Sequence, residues 1–138
     1  MLKDLFVPYE IAVILNNLGF KEKCLGWYHK PIEEEPVIVF FKSHILGDTS
    51  MDYNSNLKNN CHAPLYQQAL DFLRINYKIK IIVLESYETP GTFDSTIYSP
   101  FVEEEGEFGT KGLTDYYACL IEAIMEAFNQ IQKSKNAV

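Results

Sequence analysis

Residues 64–99 decide the fold, and they read PLYQQALDFLRINYKIKIIVLESYETPGTFDSTIYS. Over 64–77 the apolar residues recur at the spacing of one helix face, behind a proline that suits the first helical turn. Branched and bulky residues at 79–87 predict a strand, Thr89-Pro90-Gly91 a turn, and the alternating residues 92–99 a second, half-exposed strand. This stretch therefore predicts a helix followed by a β-hairpin.

The residues before this stretch predict a similar set of elements. Apolar spacing indicates a helix over 8–18, and Gly19 can adopt the left-handed conformation that ends it. A hairpin is predicted from strands at 24–29 and 37–41. Residues 43–62 are polar and rich in Asn, Asp and Ser, which favour turns, so we expect a long loop there.

A last helix is predicted from Thr114, whose side chain suits the helix start, to Lys133. The predicted order is therefore α-β-β-α-β-β-α. Two hairpins imply one antiparallel sheet of four strands, with three helices packed on it, which is an α+β fold. We expect a single domain over 1–133 and a frayed tail at 134–138.

The composition predicts a cytoplasmic protein. The chain has 138 residues, of which 47% are hydrophobic, and this suffices for a buried core. No apolar run approaches the roughly 20 residues that span a bilayer, so no membrane contact is expected. Three cysteines are an odd number that fits a disulfide framework poorly, which favours a reducing compartment.

The net charge of −7 is concentrated in one segment, residues 84–110, which holds seven acids and no Lys or Arg. Arg74 is the only arginine, and so direct nucleic-acid binding is disfavoured. An acidic surface facing a basic partner is one interpretation, and a solvated loop that aids solubility is the favoured alternative. The acidic candidates for partner binding are Glu103, Glu104, Glu105 and Glu107.

No catalytic, cofactor or metal motif stands out. Cys24 and His29 are five residues apart, an odd offset that places strand side chains on opposite faces and disfavours zinc. Cys61 and His62 precede the second helix, where a thiol pKa can fall, and they suggest a small thiol-dependent enzyme. No third catalytic group or oxyanion hole accompanies them, and an enzyme is therefore disfavoured.

Two further pairs are candidates for ligand contact. Trp27 and Tyr28 would form a binding platform if their strand is half exposed, although a role as core anchors is the favoured alternative. Gln67 and Gln68, at the start of the second helix, could contact a ligand or could simply be solvated.

The chain resembles a family of small uncharacterised proteins encoded by phages and prophages of Bacteroidetes. The resemblance covers most of the chain. It is carried by Pro8-Tyr9-Glu10, Leu18-Gly19-Phe20, Cys24-Leu25-Gly26-Trp27-Tyr28 and Ala63-Pro64-Leu65-Tyr66-Gln67-Gln68-Ala69-Leu70-Asp71-Phe72-Leu73-Arg74. That family has no assigned activity, so the resemblance implies a mobile-element context and a host-cell cytoplasm but no site residue.

The leading hypothesis is a non-enzymatic phage or mobile-element protein that binds a host protein, with the acidic segment as one possible surface. The first alternative is a small-molecule binder or thiol-dependent enzyme with a pocket near Cys61 and His62. It requires Cys61, His62 and Tyr28 to lie together and not scattered on open surface. The second alternative is a self-associating module that pairs copies through a strand edge near residues 93–98.

Overall fold

The computed structural model describes residues 2–40, 60–102 and 112–136. The chain divides into two compact units, unit 1 (Met1–Ala69) and unit 2 (Leu70–Val138). The single domain expected over 1–133 stays a prediction. Within the described residues, no helix combines the length and apolar character needed to cross a membrane.

Unit 1 is built on a three-stranded antiparallel sheet. A short 3₁₀ helix is followed by a first α-helix and three strands, and the central strand is the first of the three. The elements are the 3₁₀ helix Leu2–Leu5, α1 (Tyr9–Asn17), β1 (Gly26–His29), β2 (Val37–Phe40) and β3 (Asn60–His62). The strand order is β2-β1-β3. This order leaves no edge of β1 open to another strand.

Unit 2 contains the hairpin and the long last helix. The helix before the hairpin begins in unit 1 and continues into unit 2. The elements are α2 (Tyr66–Tyr77), β4 (Lys80–Glu85), β5 (Phe93–Tyr98) and α3 (Tyr116–Asn136). Strands β4 and β5 pair antiparallel, with Ile82 opposite Thr96.

The α+β class is confirmed, but the predicted single four-stranded sheet is replaced by sheets of three and two strands. Two pairings in the structure are not among those that the sequence predicts. Residues 60–62 form β3 and occupy the second edge of β1, whereas the sequence predicts them as the end of the 43–62 loop. On β5, Phe93 forms an isolated antiparallel bridge with Leu113.

The helix ends follow the sequence signals closely. Gly19 has φ +98° and ends α1, as predicted, while the Phe20 N–H donates to Leu15 O at 2.9 Å. The start of α3 differs by one residue, because the Asp115 carboxylate, and not Thr114, accepts the N–H groups of residues 117 and 118 at 2.8 and 3.2 Å. The helix continues to Asn136, which includes the first three residues of the predicted tail.

The periodicity of α3 predicts a buried face made of Tyr117, Leu120, Ile121, Ile124, Phe128 and Ile131. Four of these residues are buried, whereas Ile121 is half-buried and Tyr117 is 37% exposed. In α3 the buried apolar residues are Cys119, Leu120, Ala123, Ile124, Ala127, Phe128 and Ile131. Burial of this stripe supplies the largest favourable free-energy contribution to placing α3, since helix propensity alone is weak.

Replacement of Ile124 by alanine is expected to lower the free energy of unfolding by about 2–5 kcal/mol, because it leaves a cavity at a fully buried position. Met125 is the matched control. It is the next residue on the same helix and 36% exposed, so Met125→Ala should cost less than about 1 kcal/mol. Urea denaturation followed by circular dichroism measures both. Equal losses would contradict the assigned helix face.

Candidate functional site

Strand β1 brings several of the candidate residues together in unit 1. Tyr28 lies opposite Cys61 of β3, and Trp27 lies opposite His62. Because neighbouring residues of a strand point to opposite faces, Tyr28 and Cys61 share one face of the sheet, and Trp27 and His62 share the other. The three residues required for the pocket hypothesis are therefore neighbours in one sheet, but His62 lies on the face opposite to Tyr28 and Cys61.

The close approach of β1 and β2 explains the glycine before Trp27. A Cβ atom at Gly26 would lie 2.7 Å from the Val39 carbonyl oxygen, a distance that a side chain does not tolerate against backbone. Gly26 thus permits the pairing that sets the register of Trp27 and Tyr28.

The face that carries Tyr28 is a buried cluster of hydroxyl and thiol groups. The Tyr28 hydroxyl donates to the Val7 carbonyl, and the rings of Tyr9 and Tyr28 meet edge to face at 5.6 Å. Burial raises the pKa of Cys61 to about 11. Burial, with the nearby charges of Glu22 and Cys61, raises the pKa of Cys24 to about 12. Both thiols are therefore protonated at neutral pH and are poor nucleophiles.

The opposite face carries Trp27, His29, Asn60 and His62. The Trp27 and His29 rings meet edge to face at 5.9 Å, and His29 Nδ1 is 2.8 Å from Asn60 Oδ1. Burial lowers the pKa of His62, which favours its neutral form. Among the described residues, no three His, Cys, Asp or Glu side chains come close enough to hold a metal ion.

The exposed fractions of Trp27 and Tyr28 are 8% and 6%. A role for both side chains as core anchors, the favoured alternative, requires burial of this kind. Their role in ligand binding stays a prediction.

Asn16 of α1 closes the outer edge of β3, a role that sequence reasoning missed. Its side-chain amide nitrogen donates to the His62 carbonyl, and its amide oxygen accepts the His62 N–H, both at 3.4 Å. The same nitrogen donates to Ala12 O at 2.7 Å. A side-chain amide reproduces the donor and acceptor of a peptide group, so Asn16 substitutes for part of a fourth strand.

Both the oxygen and the nitrogen of the Gln68 side-chain amide form hydrogen bonds with backbone groups. Its oxygen accepts the Leu65 N–H at 3.0 Å, which caps the start of α2, and its nitrogen donates to Lys23 O at 2.8 Å. Gln67 is exposed. Gln68 thus has a structural role at the start of α2.

The acidic candidates Glu103, Glu104, Glu105 and Glu107 lie outside the described residues. Of the acids in the 84–110 segment that are described, two bind loop backbone. Glu85 Oε1 accepts the Gly91 N–H at 2.8 Å, and Asp94 Oδ1 accepts the Gly112 N–H at 2.9 Å. The Glu85 carboxylate thus stabilises the turn of the hairpin, and the Asp94 carboxylate binds the backbone of the segment that precedes α3.

A further candidate site in unit 2 is the outer edge of β4. Phe93 exchanges two backbone hydrogen bonds with Leu113, at 2.6 and 3.3 Å, so the peptide groups of Phe93 point away from β4. Hydrogen-bonded and non-hydrogen-bonded pairs alternate along an antiparallel ladder. Since Phe93 lies opposite Glu85, the N–H and C=O groups of Ile81, Val83 and Glu85 must point away from β5.

We call these outward groups the β4 edge (Ile81, Val83 and Glu85). In the described part of unit 2, β4 has β5 as its one strand neighbour, and no backbone group pairs with the β4 edge. Leu84, between two of its residues, is 65% exposed. Unpaired edge groups beside an exposed apolar side chain form a template for another strand.

Comparisons with protein-family models, with curated proteins and with solved structures gave no match.

The native thiols are expected to react slowly with iodoacetamide at pH 7.5, because burial raises the pKa of Cys24, Cys61 and Cys119. For Cys61 the rate should rise about tenfold per pH unit towards pH 11. The unfolded chain loses this proton first, from the ordinary value of 9.0, so stability should fall between about pH 9 and 11. Mass spectrometry follows the alkylation, with denatured protein as the control. Rapid labelling of native Cys61 at pH 7.5 would restore the thiol-enzyme hypothesis.

The variant Gln68→Ala is expected to lower the free energy of unfolding by about 1–2 kcal/mol, because it leaves the Leu65 N–H and Lys23 carbonyl without their partner. Gln67→Ala, at the exposed neighbouring position, should cost less than about 0.5 kcal/mol. Denaturant titration compares the two. Equal stability of both variants would show that Gln68 has no structural role.

Proposed function

We propose that this chain is a non-enzymatic binding protein that pairs an extended segment of another polypeptide along the β4 edge. The observation that carries the proposal is the outward direction of the Ile81, Val83 and Glu85 peptide groups, derived from the Phe93–Leu113 bridge. Addition of a strand satisfies such groups directly, because main-chain hydrogen bonds provide affinity and alternate side chains provide specificity.

The surface around the β4 edge supports a protein partner. Leu84 is 65% exposed and Tyr98 45% exposed, and both lie on the face of the hairpin that also carries Ile82. An incoming strand would cover Leu84 while forming the backbone bonds. Burial of apolar area contributes about 25 cal/mol per Å², so a partly covered leucine adds to the affinity.

The chemistry of the thiols favours binding over catalysis. Nucleophilic catalysis by cysteine requires a thiolate, and burial raises the pKa of Cys61 to about 11. The neighbouring Tyr28 hydroxyl already donates to the Val7 carbonyl. The Tyr28–Cys61 cluster is therefore better suited to packing than to proton transfer.

A host protein as the partner, expected from the resemblance to phage-encoded proteins, stays a prediction. So does contact through Glu103, Glu104, Glu105 and Glu107. An acidic surface of this kind would accelerate the approach of a basic partner and would complement strand pairing, since charge mainly affects association rate and specificity.

Leu84→Lys is expected to abolish partner binding while the fold is retained, because it introduces a charge at an exposed position beside the β4 edge. Ile75→Lys, on α2, is the matched control because it alters another exposed aliphatic residue, at 54% exposure. Immobilised wild type and both variants are compared by mass spectrometry of the proteins captured from cell lysate.

Support requires proteins that are captured by the wild type and Ile75→Lys and lost with Leu84→Lys. Hydrogen exchange on the recovered complex should then show slower exchange at Ile81, Val83 and Glu85 than in the free protein. Capture that does not differ between the two variants would refute binding at the β4 edge.

A further inference from the structure

We infer that the strand received by the β4 edge is β4 of a second copy of this chain, paired antiparallel about a two-fold axis at Val83. This assignment rests on the proposed function and names its partner. The pairing would join two hairpins into one four-stranded antiparallel sheet with the order β5-β4-β4-β5.

The length of the open edge determines the register. On the same side of the strand, the Ile79 N–H is already bound to the Leu73 carbonyl at 3.2 Å, so the open stretch begins at Ile81. It ends at Glu85, the last residue of β4, whose carboxylate accepts the Gly91 N–H of the hairpin turn. The outward groups of Ile81, Val83 and Glu85 are therefore symmetric about Val83.

An antiparallel partner with the same sequence satisfies all of these groups at once. Outward groups must meet outward groups, so Val83 pairs with its own copy and Ile81 pairs with Glu85 of the second copy. Each of the three pairs exchanges two hydrogen bonds, which gives about six bonds across the interface. A shift of the register by two residues would leave part of the open stretch unpaired.

The side chains in this register are compatible on the exposed face. Ile82 falls opposite Leu84 of the second copy, in a non-hydrogen-bonded pair where side chains approach most closely. Leu84, which is 65% exposed in one chain, would then be covered by Ile82 of the second copy, and the two-fold axis repeats this contact. Apolar cross-strand pairs of this kind stabilise antiparallel sheets.

The charges at the two ends of β4 favour the antiparallel arrangement. Lys78 and Lys80 lie at its beginning, and Glu85 and Glu88 at its end. Antiparallel pairing places the basic end of one strand beside the acidic end of the other, at both ends of the interface. Parallel pairing would place like charges together, which is destabilising.

The first test is the molar mass in solution. Sedimentation velocity and light scattering over about 10–500 µM should show the wild type moving from monomer to dimer, because an interface built on one strand is small and weak. Leu84→Lys should weaken association by at least about tenfold, and Ile75→Lys should leave it unchanged. A wild type that stays monomeric at the highest concentration overturns the inference.

A second test reports the register by disulfide formation. Ile82→Cys and Leu84→Cys are mixed and oxidised, since these positions face each other across the interface and strand pairs in this geometry suit a disulfide. A cross-linked dimer that forms in the mixture and not in either variant alone supports the Val83-centred pairing. Cross-linking of one variant with itself, or equal yields in all samples, overturns it.

The two tests separate this inference from the proposed function. If the wild type is monomeric while Leu84→Lys still loses captured proteins, the β4 edge binds another protein and only the second-copy assignment fails. If the wild type dimerises and Leu84→Lys dimerises equally well, the interface lies elsewhere and the assignment to the β4 edge fails.

Discussion

The backbone bridge between Phe93 and Leu113 is the constraint that establishes the peptide directions in the hairpin of unit 2. A strand residue has one N–H and one C=O, and both groups of Phe93 are used on the side away from β4. Alternation along the ladder then determines the direction of every peptide group in the hairpin. The bridge therefore occupies part of the β5 edge and, through the pairing of Phe93 with Glu85, leaves the opposite edge at β4 as a hydrogen-bonding surface.

In unit 1, hydrogen bonds occupy both edges of the central strand and part of the edge of β3. The central strand β1 is paired on both sides, and the His62 peptide on β3 is bound by the Asn16 side chain. The Tyr28 hydroxyl has a backbone partner, and the pKa of Cys61 is raised by burial. A thiol in this environment contributes chiefly by packing, since its charged form is penalised.

The sequence predicted local features well and long-range pairing poorly. The helices follow from apolar spacing and from end signals such as Gly19, which are properties of a few neighbouring residues. Strand partners are separated along the chain, so the order of a sheet is not encoded in local periodicity. Strand β3 was missed because only Cys61 among its three residues is apolar, and its pairing with β1 gives it a regular structure that its composition does not favour.

For the candidate sites too, local residue patterns were informative, whereas hydrogen-bond partners distant in the chain were not predicted. The sequence predicts Gln68 as either a ligand contact or a solvated residue, yet its hydrogen bonds to Leu65 and Lys23 give it a structural role that only the folded backbone reveals. Self-association through a strand edge near residues 93–98 stays a prediction, since the bridge at Phe93 occupies one residue of that strand. The outward direction of the β4 edge groups is not predicted by the sequence. Alternating peptide directions cannot be obtained from side-chain patterns, because they depend on which residue of each strand begins the ladder.

The asymmetry of the hairpin also limits the size of an assembly built on it. Two copies joined at β4 would present β5 at both outer edges of the resulting sheet, and each of those edges is already occupied at Phe93 by Leu113. A two-fold interface is self-complementary and closes after two copies. The net charge of −7 opposes further growth, because each added copy would increase electrostatic repulsion. A dimer joined through β4 would use both β4 edges and would not extend into a fibre through them.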